Sequence, residues 1–270
     1  MNPSIDLLHA ALAIVCALLY LASGARQLLL LDSRHRAQSS PTGAYLALAA
    51  VAVHLMIAVI DVSAGHLSLG FYKVASLIFL TISVVGLATM LFRPLHLLVI
   101  VTFPLAALSV LVNVFAPATD QPLKGLNDGL VLHIAASLVA FGVLTLTTLQ
   151  GALVSIQTQR LRKHHTRGVI RMLPPLDMTE RMFYELLTAG TVLLTIAIVA
   201  GGLFIDDLLG QKLVHKTVLT TLAWLMFSIT LGVHWLRGWR IGTAVTLVSV
   251  AFGCLTVGFF GSKLVVELIL

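Results

Sequence analysis

Eight long apolar runs constrain this chain more than any other feature. They occupy residues 7–24, 44–60, 74–92, 95–116, 130–156, 182–205, 213–236 and 241–262. A helix crosses the hydrocarbon core of a bilayer with roughly 17–25 apolar residues. Inside that core no water is present to satisfy backbone N–H and C=O groups, so each run must satisfy them within itself, as an α-helix. The runs therefore predict an all-α, polytopic integral membrane protein, with eight transmembrane helices forming a single transmembrane bundle over residues 1–270. Charged residues make up 10% of the chain and hydrophobic ones 59%, too few polar side chains to cover a water-soluble fold of this length.

The basic residues between the runs set the orientation. Every arginine falls on one side of the predicted membrane: Arg26, Arg34, Arg36, Arg93, Arg160, Arg162, Arg167, Arg171, Arg181, Arg237 and Arg240, together with Lys163. The other side carries Lys73, Lys124, Lys212, Lys216 and Lys263, along with Asp6, Asp61, Asp120, Asp128, Asp206, Asp207 and Glu267. The arginine-rich side is cytoplasmic by the positive-inside rule, which with eight spans gives an N-out/C-out topology. The first run lacks a basic segment ahead of it and is followed by arginines, so it reads as a retained span. In a soluble chain a net charge of +6 would point to nucleic acid. Here the excess serves orientation, and the expected partner is the lipid bilayer, with no nucleic acid. The basic cytoplasmic loop at 157–179 suits anionic headgroups or a cytoplasmic protein partner. Pro94 fits the start of the fourth helix, and Pro104 is expected to kink it.

Histidine is the residue type able to carry chemistry here, because imidazole ligates metals, moves protons and bonds between helices. His133 lies about one turn into the fifth helix, and His215 at the start of the seventh, both at the outer end. If those helices are neighbours, the two imidazoles can flank a flat cofactor or share a metal ion. Lys212 and Lys216 stand ready for an anionic group, and His9 and His54 also fall in the outer half of the membrane. Taken singly, each of these histidines fits a purely structural hydrogen bond between helices better than a ligand role. His234 is too distant to share one site with His215, about 28 Å along an ideal helix. It sits in a Trp235/Arg237/Trp239/Arg240 interface anchor, where it can pair with His96. Cys16 and Cys254 lie within apolar runs as small hydrophobes, and without a CxxCH pattern covalent haem attachment is not supported. No Walker A, HExxH or GxSxG pattern is present, and no midplane carboxylate suggests a pump.

The segments Gly129-Leu130-Val131-Leu132-His133-Ile134, Leu213-Val214-His215-Lys216-Thr217, Trp224 and His234-Trp235-Leu236-Arg237-Gly238-Trp239-Arg240-Ile241-Gly242 resemble the integral-membrane cytochrome c assembly family. The similarity is to its small eight-span branch, which includes a protein linked to regulation of haem biosynthesis. It is strongest over residues 129–270. The resemblance implies haem handling at the extracytoplasmic face of a bacterial inner membrane, with external histidines as axial ligands. On that basis His133 is a ligand and His215 its partner. The family's tryptophan-rich outer loop corresponds here to Asp206-Asp207-Leu208-Leu209-Gly210-Gln211-Lys212, which holds no tryptophan.

The expected function is thus that of a noncatalytic, accessory or regulatory haem-associated protein of cytochrome c assembly type. It would hold haem b noncovalently through His133, His215, Lys212, Lys216, His54 and His9, with His133 and His215 as metal ligands. The alternative is a noncatalytic membrane partner or regulator of a metal-ion or metabolite transport system, with the histidines in structural roles. A stand-alone permease is a third reading, and the sequence does not set the state of homo-oligomerisation. The topology has a direct check. Alkaline phosphatase fused after residue 122 should be active, because that loop is outside, and the same enzyme fused after residue 168 should be inactive. The reverse pattern would invert the assignment.

Overall fold

The computed structural model describes residues 3–32, 41–63, 70–92, 96–116, 127–163, 174–204 and 214–268, with side chains described over most of these. The protein is all-α and polytopic. Its helices are α1 Pro3–Asp32, α2 Pro41–Ser63, α3 Phe71–Phe92, α4 His96–Phe115, α5 Asp128–Arg162, α6 Leu176–Phe204, α7 Val214–Arg237 and α8 Ile241–Leu268. All eight are long and apolar enough to cross a membrane, one for each apolar run. Most extend past the run that announced them, since a helix continues into the interface while its backbone bonds remain favourable. The turn containing Pro94 lies outside the described residues, and Pro104 sits inside α4.

Local chemistry explains the helix ends. Asn127 caps α5: its backbone is extended and its Oδ1 accepts from the Leu130 N–H at 2.7 Å, with Asp128 in the first turn complementing the helix dipole. α7 stops because Gly238 turns left-handed at φ +64°, its N–H bonding the His234 carbonyl at 3.2 Å. α5 runs to Arg162 and α6 starts at Leu176, and side-chain bonds tie the two helices near these ends. Thr179 Oγ1 donates to Gln157 Oε1 at 2.9 Å, Gln157 Nε2 to the Pro174 carbonyl at 2.8 Å, and Gln150 Nε2 to the Thr179 carbonyl at 3.0 Å. Many threonine hydroxyls are satisfied inside their own helix. Thr147, Thr191 and Thr230 each donate to the carbonyl four residues earlier, which lets threonine occupy an apolar span.

The chain divides into two compact units, Met1–Lys124 and Gly125–Leu270. In the first, α1 packs on α2 and α4, and α3 packs on the same two helices. The second repeats the arrangement, with α5 and α7 each packing on α6 and α8. Each unit is therefore a ring of four sequential helices in which the first closes against the last. Large apolar side chains such as Leu18, Leu48, Leu108, Val192 and Leu225 remain exposed on the outside, the surface a bilayer covers. With lipid as solvent, no hydrophobic force draws the helices together, and close packing at small residues takes its place. Ala13, Ala17, Ala47, Ala50, Ala106 and Ala107 fill the core of the first unit. In the second, Gly190 lies directly against Leu144: a Cβ there would come 2.7 Å from its Cδ2. Gly190→Val should therefore cost about 1–3 kcal/mol by overpacking. Gly202→Ala, at a position with nothing within 4 Å, should be neutral or slightly stabilising. Thermal unfolding of the two variants in detergent separates these outcomes.

Candidate functional site

In the second unit, Asn127 starts α5 so that His133 falls in its second turn, on the side facing α6. His133 Nδ1 lies 2.7 Å from the Ala197 carbonyl of α6. A carbonyl oxygen can only accept, so Nδ1 carries the proton and donates, leaving the lone pair of the neutral ring on Nε2. Among the described residues nothing hydrogen-bonds to Nε2. Gly201 makes the contact possible: a Cβ there would stand 2.9 Å from Nδ1 and 3.0 Å from Cε1 of the ring. This is the arrangement by which proteins orient a metal-ligating imidazole, one nitrogen tied to a fixed acceptor and the other available.

His215 is the second residue of α7, but its side chain lies outside the described residues, as does the whole of Lys212. Lys216 is partly buried near the start of α7, where its carbonyl and Leu219 face Gly258 of α8. The helices bearing His133 and His215 are not packed neighbours. They stand diagonally in the ring, with α6 and α8 between them, and their N-terminal ends share one end of the unit. Trp224 joins α7 to α6, its Nε1–H donating to Thr195 Oγ1 at 2.8 Å, and Thr195 in turn donates to the Thr191 carbonyl.

His54 and His9 belong to the first unit. His54 is 1% exposed, with Nδ1 3.1 Å from Tyr20 Oη and Nε2 3.0 Å from Ser76 Oγ. Tyr20 also packs edge-on against Phe103, so residues of all four helices meet around this imidazole. Both ring nitrogens are occupied, and the two hydroxyls accept either tautomer. His9 Nε2 stands 3.6 Å from Asp61 Oδ1, and Asn113 Nδ2 donates to Asp61 Oδ2 at 3.2 Å. His234 stacks on Tyr184 of α6, with ring centroids 3.5 Å apart and planes 13° from parallel. The pair lines an open groove of about 660 Å³ with Asp177, Glu180, Arg181 and Glu185. The side chain of His96, considered above as its partner, lies outside the described residues. Among the described residues no three His, Cys, Asp or Glu side chains are placed to hold a metal ion.

Sequence reasoning had no access to Tyr20, Ser76, Tyr184 or the Gln150/Gln157/Thr179 cluster as partners, since each meets its partner across a helix interface. Asp61 carried a usable signal, a carboxylate at the end of an apolar run.

The family model described as "Cytochrome C assembly protein" matches residues 39–270, which contain α2 through α8. The chain belongs to that family. Among its relatives is inner membrane protein YpjD of Escherichia coli strain K12, 28% identical over 174 residues, covering 64% of this chain and 65% of YpjD. Protein HemX of Brevibacillus brevis is 24% identical over 183 residues, 65% of this chain and 66% of that protein. A 28.8 kDa protein of Azospirillum brasilense is 29% identical over 141 residues, 52% of each chain. The alignments thus span less than two thirds of each relative's length. No solved structure matches the chain. This is a multi-pass membrane protein of the cytochrome c assembly family, similar to a bacterial inner-membrane protein.

The His54 network generates a measurable expectation. Tyr20→Phe keeps the ring and leaves a buried imidazole nitrogen without its hydroxyl, so it should destabilise the protein by about 1–3 kcal/mol. A variant melting within 1 °C of the wild type in detergent would show that this hydroxyl contributes nothing.

Proposed function

We propose that the chain is a haem-associated inner-membrane protein of cytochrome c assembly type, accessory or regulatory rather than catalytic. It holds haem b noncovalently at the extracytoplasmic ends of α5 and α7. The observation that carries this reading is the His133 imidazole, fixed by the Ala197 carbonyl in the tautomer that leaves Nε2 for a metal. Family membership supplies the haem context. α5 and α7 start at the same end of the second unit, which is compatible with a shared site for His133 and His215.

In this reading His133 would hold the iron through Nε2 with His215 as the candidate second ligand, and the basic Lys212 and Lys216 would suit the anionic propionates. When bound, the haem supplies a redox-active, ligand-exchanging iron. His54 and His9 belong to the first unit, where His54 has both ring nitrogens engaged and His9 stands beside Asp61.

A second reading, a noncatalytic partner or regulator of a metal-ion or metabolite transport system, draws on the fully satisfied His54. It treats histidines as bundle ties and uses the basic 160–171 segment for a cytoplasmic partner. Absorption spectroscopy decides between the two. Protein expressed with ample haem and purified in detergent should carry about one haem with a histidine-ligated spectrum. His133→Ala and His215→Ala should each weaken retention by about 10–100-fold, the range found when a metal-site partner is lost. A folded wild-type protein free of haem under these conditions would eliminate the first reading.

A further inference from the structure

At one end of the first unit α1 begins while α2 and α4 end, and three polar side chains converge there from these three helices. His9 stands in the second turn of α1, Asp61 in the last turn of α2 and Asn113 in the last turn of α4. Asn113 Nδ2 donates to Asp61 Oδ2 at 3.2 Å, and His9 Nε2 lies 3.6 Å from Asp61 Oδ1. The cluster is incomplete as a hydrogen-bond network. His9 Nε2 and Asn113 Oδ1 are both buried without a hydrogen-bond partner, although an acceptor-rich carboxylate is their neighbour.

Two orphaned polar atoms flanking one carboxylate are expensive in a low-dielectric setting. A cation bound among the three groups would engage both. Imidazole nitrogen, carboxylate oxygen and amide oxygen form a donor set suited to borderline divalent ions of the zinc, cobalt and manganese class. The spacing agrees. Two donor atoms each about 2.1 Å from one ion are roughly 3.4 Å apart at a tetrahedral angle, against 3.6 Å here for His9 Nε2 and Asp61 Oδ1. A half-turn of the Asn113 amide exchanges Nδ2 for Oδ1 and turns the unsatisfied oxygen toward the carboxylate. The His9 and Asp61 side chains keep 21% and 20% of their surface accessible, although His9 Nε2 itself is buried.

We propose that His9, Asp61 and Asn113 form a divalent transition-metal site at this end of the first unit. His9 lies on α1, ahead of the residues 39–270 that match the family, so the site is completed by a part of the chain outside the matched region. With the imidazole neutral, Asp61 gives the three groups a net charge of −1, and a divalent ion reverses its sign. The ion would also link α1 to α2 and α4 at this end.

The test uses the full chain in detergent, stripped with a chelator and titrated with Co²⁺, whose d–d absorption reports nitrogen and oxygen ligands directly. The wild type should bind one equivalent, with Zn²⁺ competing, and Zn²⁺ should raise its melting temperature as expected for a ligand of the native state. His9→Ala and Asp61→Asn should each weaken Co²⁺ binding at least about tenfold, while His133→Ala should leave it unchanged. His9→Gln, at a partly exposed position, guards against misfolding of the alanine variant, and it should lose the nitrogen signature while keeping the wild-type elution profile. Wild-type protein that takes up no stoichiometric Co²⁺ would overturn the proposal. So would undiminished affinity in both His9 variants, or an equal loss in His133→Ala, which would place the metal in the second unit.

Discussion

The backbone cannot leave a polar group unsatisfied in hydrocarbon, and every larger feature of this protein follows from that requirement. It turns eight apolar runs into eight helices. Because lipid tails are as apolar as leucine, the same requirement removes the hydrophobic force that would otherwise press those helices together. What remains is close contact, and the chain achieves it with alanine and glycine at the interfaces: Ala13 and Ala17 in the first unit, Gly151 and Gly190 in the second. Each unit closes as a ring of four consecutive helices, a solution that short connections favour.

Hydrogen-bonded polar side chains within this setting have two fates. Most threonines bond to their own helix, which makes them neutral toward the fold. A smaller set crosses between helices: Tyr20 to His54 to Ser76, Trp224 to Thr195, Gln157 to Thr179, His133 to Ala197. The contrast between the two imidazoles is instructive. His54 has a hydroxyl on each nitrogen and is complete as it stands, whereas His133 is tied by one nitrogen to an acceptor that fixes its tautomer and leaves the other basic. The same residue type is a bundle tie in one place and a candidate ligand in the other, and the difference lies in the partner's chemistry, an amphoteric hydroxyl against an acceptor-only carbonyl.

Much of the fold was legible in the sequence because membrane insertion is a local property: run length and apolarity alone announce a spanning helix. Boundaries were less legible. Near the facing ends of α5 and α6 Gln157 and Thr179 bond to each other, a pairing that linear spacing does not encode. For the site, the sequence pointed to histidine as the informative residue and to His133 by its family resemblance. It gave no access to Ala197, whose carbonyl orients that ring, or to Gly201, which leaves room for it. Nor did it indicate that His234 would stack on Tyr184, fifty residues earlier in the chain.

The sequence by itself determined that this chain lives in a membrane as a set of helices, since each span's backbone is satisfied by residues within that span. Only the tertiary structure decided which imidazole nitrogen is engaged and which is available, and that α5 faces α7 across a ring rather than beside it. Those outcomes depend on groups that approach one another through space from separate helices, and no local pattern of residues fixes such an approach.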